Sequence, residues 1–508
     1  MSTDVLIVGA GHNGLVAATV LAKAGLKVQV LEDKPVIGGA CRTEFPFKNA
    51  PKLGTSTGAY LLGLMPPELM ERTGVNIPVK RRDPHYFLPT TDGRYLLFGS
   101  DHESMKRQFI SFFSEADWRA NQAMNAEIAQ IREDIAPTWL EEPLSIDDTA
   151  AKYVRAPLRE AFINLCRKPV GDYIDRWGFQ SDLLRAMYAV TDGFSGLYGT
   201  YDTPGTGMNF LIHNMCRLPG SDGTWMICEG GMGTVTTRFA DAARAHGATI
   251  ECNARVEQVL VENGTARGVR LSDGREVKAK VVIMNGDPFR MLGMADFPDD
   301  YRRRIDGYRK PGSTFKVNLA LKGLPKFTCL PEDRGQFGPT IHLLPDEKDV
   351  MRSLYEGFAA VQQGRLAPFP TIEWYIHTTI DPSLRDGEHH NSALFVQWVP
   401  LEIKGSSWDA EEDKYARHLL SICDRFAPGT SDLVVDMFPL HPKKIEQHFG
   451  ITDGHIHHVD NAFGFADRLP YVTPIAGLYS CSAGCHPAGS VIGAAGYNSA
   501  NRVLKDLA

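Results

Sequence analysis

Three glycines and one acid near the N-terminus have the types and spacing of a nucleotide-binding turn. Gly9, Gly11 and Gly14 directly follow a short apolar run at residues 5–8. In this spacing the first glycine permits a tight turn, the second lets the backbone approach a pyrophosphate, and the third lets helix and strand pack closely. Glu32, at the end of the next apolar run, can accept hydrogen bonds from an adenosine ribose and disfavours the 2′-phosphate of NADP. These residues predict a dinucleotide site.

Two cysteines near the C-terminus form a second candidate. Cys481 and Cys485 have three residues between them, and one interpretation is a redox pair facing a flavin. Such a pair is normally supported by a separate nicotinamide domain, and the glycine run at 230–233 precedes a helix without a preceding apolar strand. We therefore favour the alternative, that both cysteines are small packing residues.

Histidines form the third candidate group. His486 could move a proton near neutral pH, and the alternative that we favour is a structural histidine that holds the turn at Pro487. His455 and His457 alternate along a predicted strand at the spacing of a metal pair. No acidic or cysteine cluster accompanies them, so we predict no metal site and expect a polar strand or an edge of a substrate pocket.

The elements that position these residues can be predicted from apolar periodicity. Residues 5–8 and 27–31 are predicted strands joined by a helix over 13–23, which makes a βαβ unit. After the glycine run, an antiparallel meander that returns to a parallel strand is predicted, with strands at 248–252, 254–261, 266–271 and 280–284. A strand at 477–482 and a helix from about Val491 follow.

The segments between these units predict an inserted domain, because they contain most of the aromatic residues. We expect an α/β protein in which a discontinuous Rossmann-type domain with a β-meander consists of residues 1–80, 221–300 and 450–508. An inserted α+β substrate domain consists of residues 81–220 and 301–449. Strands at 373–377 and 395–399 could floor a substrate pocket, although most such aromatics are core. Residues 59–65 could line an apolar entrance or simply pack.

Composition excludes several classes of function. The 508 residues are 43% hydrophobic and 23% charged, and 54 basic against 61 acidic residues give a net charge of −7, which argues against nucleic-acid binding. Nine cysteines, an odd number, predict free thiols in a reducing compartment, by default the cytoplasm. The sequence shows no signal peptide and no spanning run, and peripheral contact with a membrane stays open.

These motifs together resemble the phytoene desaturase-like branch of the FAD-dependent amine oxidase superfamily. The resemblance is carried by the first glycine motif, Glu32, the run at 38–40, the meander after 230–233, and residues 477–479 with His486 and Pro487. Within that branch, residues 10–17, 36–40, 60–64 and 481–496 look most like the pyridine nucleotide-disulphide oxidoreductase domain-containing protein 2 group.

The resemblance implies FAD in the first domain and assigns residues to it. The pyrophosphate, ribose, adenine, ribityl chain and flavin edge are expected to contact Gly9, Gly11, Asn13, Gly14, Glu32, Asp33, Gly39, Ala40, Arg42, Val256, Gly484, Gly489, Ser490 and Val491.

The chain departs from the family pattern at one place. Many relatives have Gly-Asp where this chain has Ser482 and Ala483. The group named above also lacks that aspartate. The departure therefore narrows the subfamily more than it argues against FAD.

The resemblance also implies an FAD-dependent oxidoreductase that acts on a mostly apolar small molecule. The expected reaction is C–C desaturation by hydride transfer to the flavin, with His486 as a candidate catalytic residue and oxygen, a quinone or a carrier protein as electron acceptor. The alternatives are a flavin amine oxidase, a flavin-dependent double-bond isomerase or saturase, and an FAD-binding interaction protein without turnover.

Overall fold

A computed structural model describes residues 3–345 and 348–508 of the chain. Within these residues the strands are β1 (Thr3–Val8), β2 (Val28–Leu31), β3 (Thr43–Glu44), β4 (Thr55–Ser56), β5 (Val79–Lys80), β6 (Tyr86–Pro89), β7 (Tyr95–Phe98), β8 (Ile227–Cys228), β9 (Thr249–Glu251), β10 (Val256–Glu262), β11 (Thr265–Leu271), β12 (Glu276–Met284), β13 (Thr314–Leu321), β14 (Thr340–Leu343), β15 (Thr371–Tyr375), β16 (His390–Gln397), β17 (Val434–Leu440) and β18 (Leu478–Ser480).

The α-helices of the same residues are α1 (His12–Lys23), α2 (Pro67–Thr73), α3 (His102–Phe112), α4 (Glu115–Ile135), α5 (Ile146–Lys152), α6 (Arg159–Arg167), α7 (Val170–Asp175), α8 (Asp182–Tyr188), α9 (Thr206–His213), α10 (Gly233–Ala245), α11 (Pro288–Met291), α12 (Asp299–Asp306), α13 (Val350–Gln362), α14 (Trp408–Phe426), α15 (Thr430–Leu433), α16 (Pro442–Phe449) and α17 (Ala494–Leu507). A single π-helical turn, Ala189–Gly193, follows α8.

The first sheet has a parallel centre in the order β18, β12, β1, β2, β9, and β10 and β11 extend it as an antiparallel meander through β12. β1 sits at the centre because its apolar run is buried on both faces, which suits a strand between two layers. α1, α10 and α17 cover one face, where Leu15, Phe239 and Val503 pack into one core. This is the predicted βαβ unit with its meander.

The second sheet has the order β17, β13, β16, β15, β14, β6, β7, and only the β14–β6 pair is parallel. Side chains alternate between its two faces, as the pleat requires. On one face Phe315, Trp374 and Leu394 pack in a core with α14. On the other face Lys316 and Glu373 point to a cavity between the sheets.

A helical layer, α3 to α9, packs beside both sheets. Its core includes Phe162, Phe194 and Phe210, and Ala488 and Ile492 from the C-terminal segment join it. The described residues contain no helix that is both long enough and apolar enough to span a bilayer. A sheet with a parallel centre that is covered by helices confirms the predicted α/β class.

Two local predictions were wrong. α17 begins at Ala494 rather than near Val491, because Gly493 has a left-handed φ of 80°. His455 and His457 lie in a turn and not on a strand, because the backbone is left-handed at Asp453 and His458, with φ of 55° and 60°. The turn is closed by the His458 N–H, which donates to the His455 carbonyl at 2.8 Å.

Candidate active site

One cavity of about 790 Å³ connects the first sheet to the second. This volume lies within the range of about 300–1,000 Å³ that is typical of small-molecule sites. One end is lined by the turn after β1, the end of β2 and the start of β10. The other end is lined by β13 to β16 and by the π-helical turn. We call the first the nucleotide end, after the ligand predicted for it, and the second the reaction end; one space joins the two.

The glycine turn is held by contacts that a side chain would prevent. Gly9 has a φ of 102°, which favours glycine. A Cβ at Gly14 would lie 2.3 Å from the Gly9 carbonyl oxygen and 2.6 Å from Nδ2 of Asn285. Gly14 itself does not line the cavity, and its absent side chain lets the first turn of α1 pack against β1, the role that the spacing predicts for the third glycine.

Glu32 lies at the cavity and accepts two backbone hydrogen bonds. Its Oε2 accepts from the N–H of Ala10 at 2.7 Å, and its Oε1 accepts from the N–H of Lys34 at 3.0 Å. The side chain is 7% exposed. Burial raises the pKa of this carboxyl, although the two backbone N–H groups favour its charged form. Each oxygen retains lone-pair capacity for a ribose hydroxyl.

The nucleotide end fits a bound dinucleotide because several of its polar atoms lack protein partners. His12, Asn13 and Arg42 line the cavity, and each has one buried polar atom without a hydrogen-bond partner in the protein, Nε2, Oδ1 and Nε respectively. The first N–H groups of α1 also have no intrahelical acceptor, which suits them to phosphate oxygens. Buried polar groups are normally hydrogen-bonded. We take these atoms as the groups that would hold the pyrophosphate and ribityl parts of FAD.

Most of the predicted cofactor residues line this one cavity. They are Gly9, Gly11, Asn13, Glu32, Asp33, Gly39, Ala40, Arg42, Val256, Gly489, Ser490 and Val491. Gly484 lies outside it, and a Cβ there would be 2.9 Å from Cγ2 of Val459, so its small size serves packing. Contact of the lining residues with FAD stays a prediction.

His486 also lies outside the cavity. Its Nε2 is 2.9 Å from the Thr138 carbonyl oxygen, and burial lowers its pKa to about 4. A neutral ring bonded to a backbone carbonyl fits the structural alternative, which the sequence favoured. Its role as a catalytic residue has no geometric support.

Packing accounts for the cysteine pair, whereas one of the remaining histidine candidates lines the cavity. Burial raises the pKa of the Cys481 and Cys485 thiols, that of Cys485 to about 12, and neither lines the cavity. His457 does line it, with Nδ1 at 2.5 Å from the Gly489 carbonyl oxygen. Across residues 3–345 and 348–508, no three His, Cys, Asp or Glu side chains are grouped to hold a metal ion.

The reaction end is built by a row of side chains across four strands. Lys316 of β13 is opposite Phe395 of β16, Phe395 is opposite Glu373 of β15, and Glu373 is opposite His342 of β14. Adjacent strands are about 4.8 Å apart, so the four side chains stand side by side on the cavity face. Pairing register alone brings together residues that are up to 79 positions apart in sequence, from 316 to 395.

Lys316 and Glu373 are buried ionisable groups with pKa values near neutrality. The Lys316 ammonium lies 4.1 Å from the ring centre of Tyr60 and 4.5 Å from that of Phe395. Burial lowers the pKa of Lys316 to about 7, although Glu373 favours its charged form. Burial raises the pKa of Glu373 to about 7, while the hydroxyl of Tyr375 donates to its Oε2. Both groups can gain or lose a proton near pH 7.

A third such group faces this row from the π-helical turn. Burial and the charge of Glu373 raise the pKa of Asp192 to about 7. The amide of Asn214 donates to Oδ2 of Asp192 at 3.4 Å. Short π-helical turns occur frequently at functional sites.

Sequence reasoning did not find Lys316, Asp192 or Arg82 as site residues. A signal existed for Lys316, because β13 is buried along its whole length. Burying a charged lysine in such a strand destabilises the fold, so a lysine there indicates a functional role. Glu373 and Phe395 fell within the strands proposed to floor a pocket, and both line it. Asp192 and Arg82 lie on a helical turn and a loop, where no periodicity identifies a site.

Sequence comparisons relate this chain to known proteins. Residues 14–340 match the family described as flavin containing amine oxidoreductase. The chain is 31% identical to pyridine nucleotide-disulfide oxidoreductase domain-containing protein 2 of Rattus norvegicus, over 99% of this chain and 94% of the rat protein. It is 24% identical to a limonene dehydrogenase component from Castellaniella defragrans, over 99% of this chain and 95% of that one.

A solved structure gives the same fold. Wild-type putrescine oxidase bound to putrescine superposes with a TM-score of 0.62 at 16% identity, over 100% of this chain and 99% of that one. The resemblance stated from the sequence motifs is thus confirmed by the family match and by the full-length relative. The chain belongs to the flavin-containing amine oxidoreductase family and is an FAD-dependent oxidoreductase.

Proposed function

We propose that this oxidoreductase desaturates a C–C bond of a small molecule whose reacting part is apolar. The observation that supports this most strongly is Lys316, a buried amine with a pKa of about 7 on the cavity face of β13. Desaturation removes a hydride from one carbon and a proton from its neighbour. It therefore needs a base inside the site as well as a hydride acceptor.

When bound, FAD supplies the acceptor for the hydride. The neutral Nζ of Lys316 accepts the proton from the adjacent carbon. Tyr60 and Phe395 hold this nitrogen between their rings, and together with Tyr375 they give the substrate an aromatic surface to lie on. Glu373 lies beside Lys316 on the far side of β16. When its carboxyl is ionised, Glu373 stabilises the ammonium that Lys316 becomes on accepting the proton.

Electrons must then leave the protein, and we propose oxygen, a quinone or a carrier protein as their acceptor. The described residues contain a single βαβ glycine fingerprint, that of β1, α1 and β2, and it is assigned to FAD. A nicotinamide nucleotide is therefore not proposed as the acceptor. The name of the Castellaniella relative, which is part of a limonene dehydrogenase, is consistent with dehydrogenation of an apolar molecule.

Amine oxidation is the second candidate, because two cavity carboxyls, Asp192 and Glu373, could hold an ammonium group. Their pKa values of about 7 weaken this alternative, since each is then only partly charged at neutral pH. A double-bond isomerase or saturase would use the same row of side chains on the second sheet. An FAD-binding protein without turnover would not need that row.

Anaerobic mixing of the FAD-loaded protein with size-matched amines and with cyclic alkenes, both with and without a carboxyl group, separates these functions. We expect that an alkene bleaches the flavin and yields a product two hydrogens lighter by mass spectrometry. Lys316→Met should slow bleaching at least about 100-fold, whereas Lys322→Met, an exposed lysine just beyond β13, should not change it.

Bleaching by amines alone, with ammonia released, would instead establish amine oxidation. A photoreduced flavin that neither oxygen nor quinones reoxidise would favour the binding protein.

A further inference from the structure

Arg82 is a buried cation at the reaction end for which the proposed chemistry has no use. It lines the cavity between β5 and β6 and is 4% exposed. Its Nε donates to the Trp225 carbonyl oxygen at 2.9 Å, and its Nη1 donates to Oγ1 of Thr340 at 2.6 Å. These two hydrogen bonds fix the plane of the guanidinium at the surface of the cavity.

The third nitrogen of Arg82 is left for the cavity. Nη2 makes no hydrogen bond within the described residues, and it is not one of the atoms sealed from solvent. In residues 3–345 and 348–508, no Asp or Glu forms an ion pair with this guanidinium. Buried guanidinium groups are normally paired, so a partner from outside the chain is expected.

The position of Arg82 ties it to the reacting row. Thr340, which accepts its hydrogen bond, is two residues before His342 on β14, so both side chains are on the cavity face. Glu373 is close enough to favour the charged form of Arg82 without touching it. A group bound at Nη2 would therefore lie beside the row that contains Lys316.

Charge decides which group fits. Burial lowers the pKa of Arg82 only to about 10, so it remains a cation at neutral pH. The pKa values of Glu373, Asp192 and Lys316 are all about 7, so none of them is a fixed charge there. One lasting positive charge is balanced by one carboxylate, whereas a phosphate carries about −1.5 to −2.

We infer that Arg82 binds a carboxylate of the substrate through Nη2, so that the substrate is a carboxylic acid with an apolar body. This inference rests on the proposed function for the identity of the bound molecule as substrate. Binding needs no turnover, however, so the two can fail separately. Arg82 is thus a specificity-determining contact that anchors one end of the molecule while its apolar part faces Lys316.

Equilibrium binding to the FAD-loaded protein tests the inference. Isothermal titration with benzoate, benzamide, benzylamine and phenyl phosphate compares four head groups on one ring, and acetate, butanoate and octanoate vary the body. We expect a carboxylate to bind at least about tenfold more tightly than its uncharged or cationic counterpart. Tighter binding of benzylamine, benzamide or phenyl phosphate, or no binding of any carboxylate, would overturn it.

Variants locate the contact. Arg82→Gln should weaken carboxylate binding at least about tenfold while leaving benzamide within about twofold, and Arg82→Lys should retain part of the affinity. Arg81→Gln is the matched control, because Arg81 pairs with Asp222 and does not line the cavity. A folded, FAD-loaded Arg82→Gln protein that binds benzoate like wild type would contradict the assignment. If that variant does not fold, the wild-type head-group series still decides.

Discussion

Lys316 shows how a single side chain can be costly to the fold and useful to the chemistry. It is 5% exposed and lies within a strand of eight buried residues, where the charged amine loses its hydration. The protein compensates with the faces of Tyr60 and Phe395 and with the nearby carboxyl of Glu373. The result is an amine poised near neutral pH.

The rate of flavin reduction should follow the protonation of this amine. Lys316 accepts a proton only when neutral, and its pKa is about 7, so the anaerobic reduction rate should rise with pH through about 7 and level off above it. Glu373, Asp192 and Arg82 are the other charged groups at the reaction end, and both Glu373 and Asp192 ionise over the same range. Stopped-flow profiles of wild type, Lys316→Met and Lys322→Met check this. A rise with the same midpoint in Lys316→Met would contradict it.

Glu32 is the residue on which nucleotide binding should depend most. Reversing its charge in Glu32→Arg removes two accepting oxygens and places a cation beside Ala10 and Lys34. We expect the dissociation constant for FAD to rise at least about tenfold, since hydrogen bonds to charged groups are worth about 1.5–3 kcal/mol.

Flavin released after heating, measured by chromatography, gives the retention of each variant. Glu251→Gln is the control, because Glu251 pairs with Arg275 outside the cavity. Equal retention of FAD by Glu32→Arg and wild type would remove the ribose assignment.

Among the elements, the βαβ unit could be predicted and the second sheet could not. β1 and β2 are short apolar runs next to a glycine turn, so local sequence specifies both their type and their partner. β13 to β16 also have readable strand patterns, but their order and register depend on packing against α14. Lys316 and Glu373 therefore could not be placed side by side from sequence alone.

Gly14→Ala tests whether close packing of α1 on β1 positions the nucleotide end. The added Cβ would lie 2.3 Å from the Gly9 carbonyl oxygen, so α1 must shift. We expect a loss of about 2 kcal/mol in the free energy of unfolding together with weaker FAD retention. Gly307→Ala is the control, because Gly307 has an ordinary φ of −63° at the end of α12. Unchanged melting and flavin content in Gly14→Ala would refute the packing argument.

In the whole molecule, function depends on two sheets that face one cavity. The nucleotide end is assembled from the glycine turn and Glu32 together with the C-terminal segment, which lies hundreds of residues further along the chain. The reaction end is assembled from a row on the second sheet and a helical turn opposite it. Family motifs identify the first end, whereas only the three-dimensional pairing reveals the second.

The orientation of FAD across this cavity is the central claim, and a crystal structure of the FAD-loaded protein measures it directly. We predict adenosine against Glu32 and the backbone of Val256, with the isoalloxazine ring beside Lys316 and Phe395. A ring placed away from the β13–β16 row, or adenosine bound at the Arg82 end, would contradict this orientation.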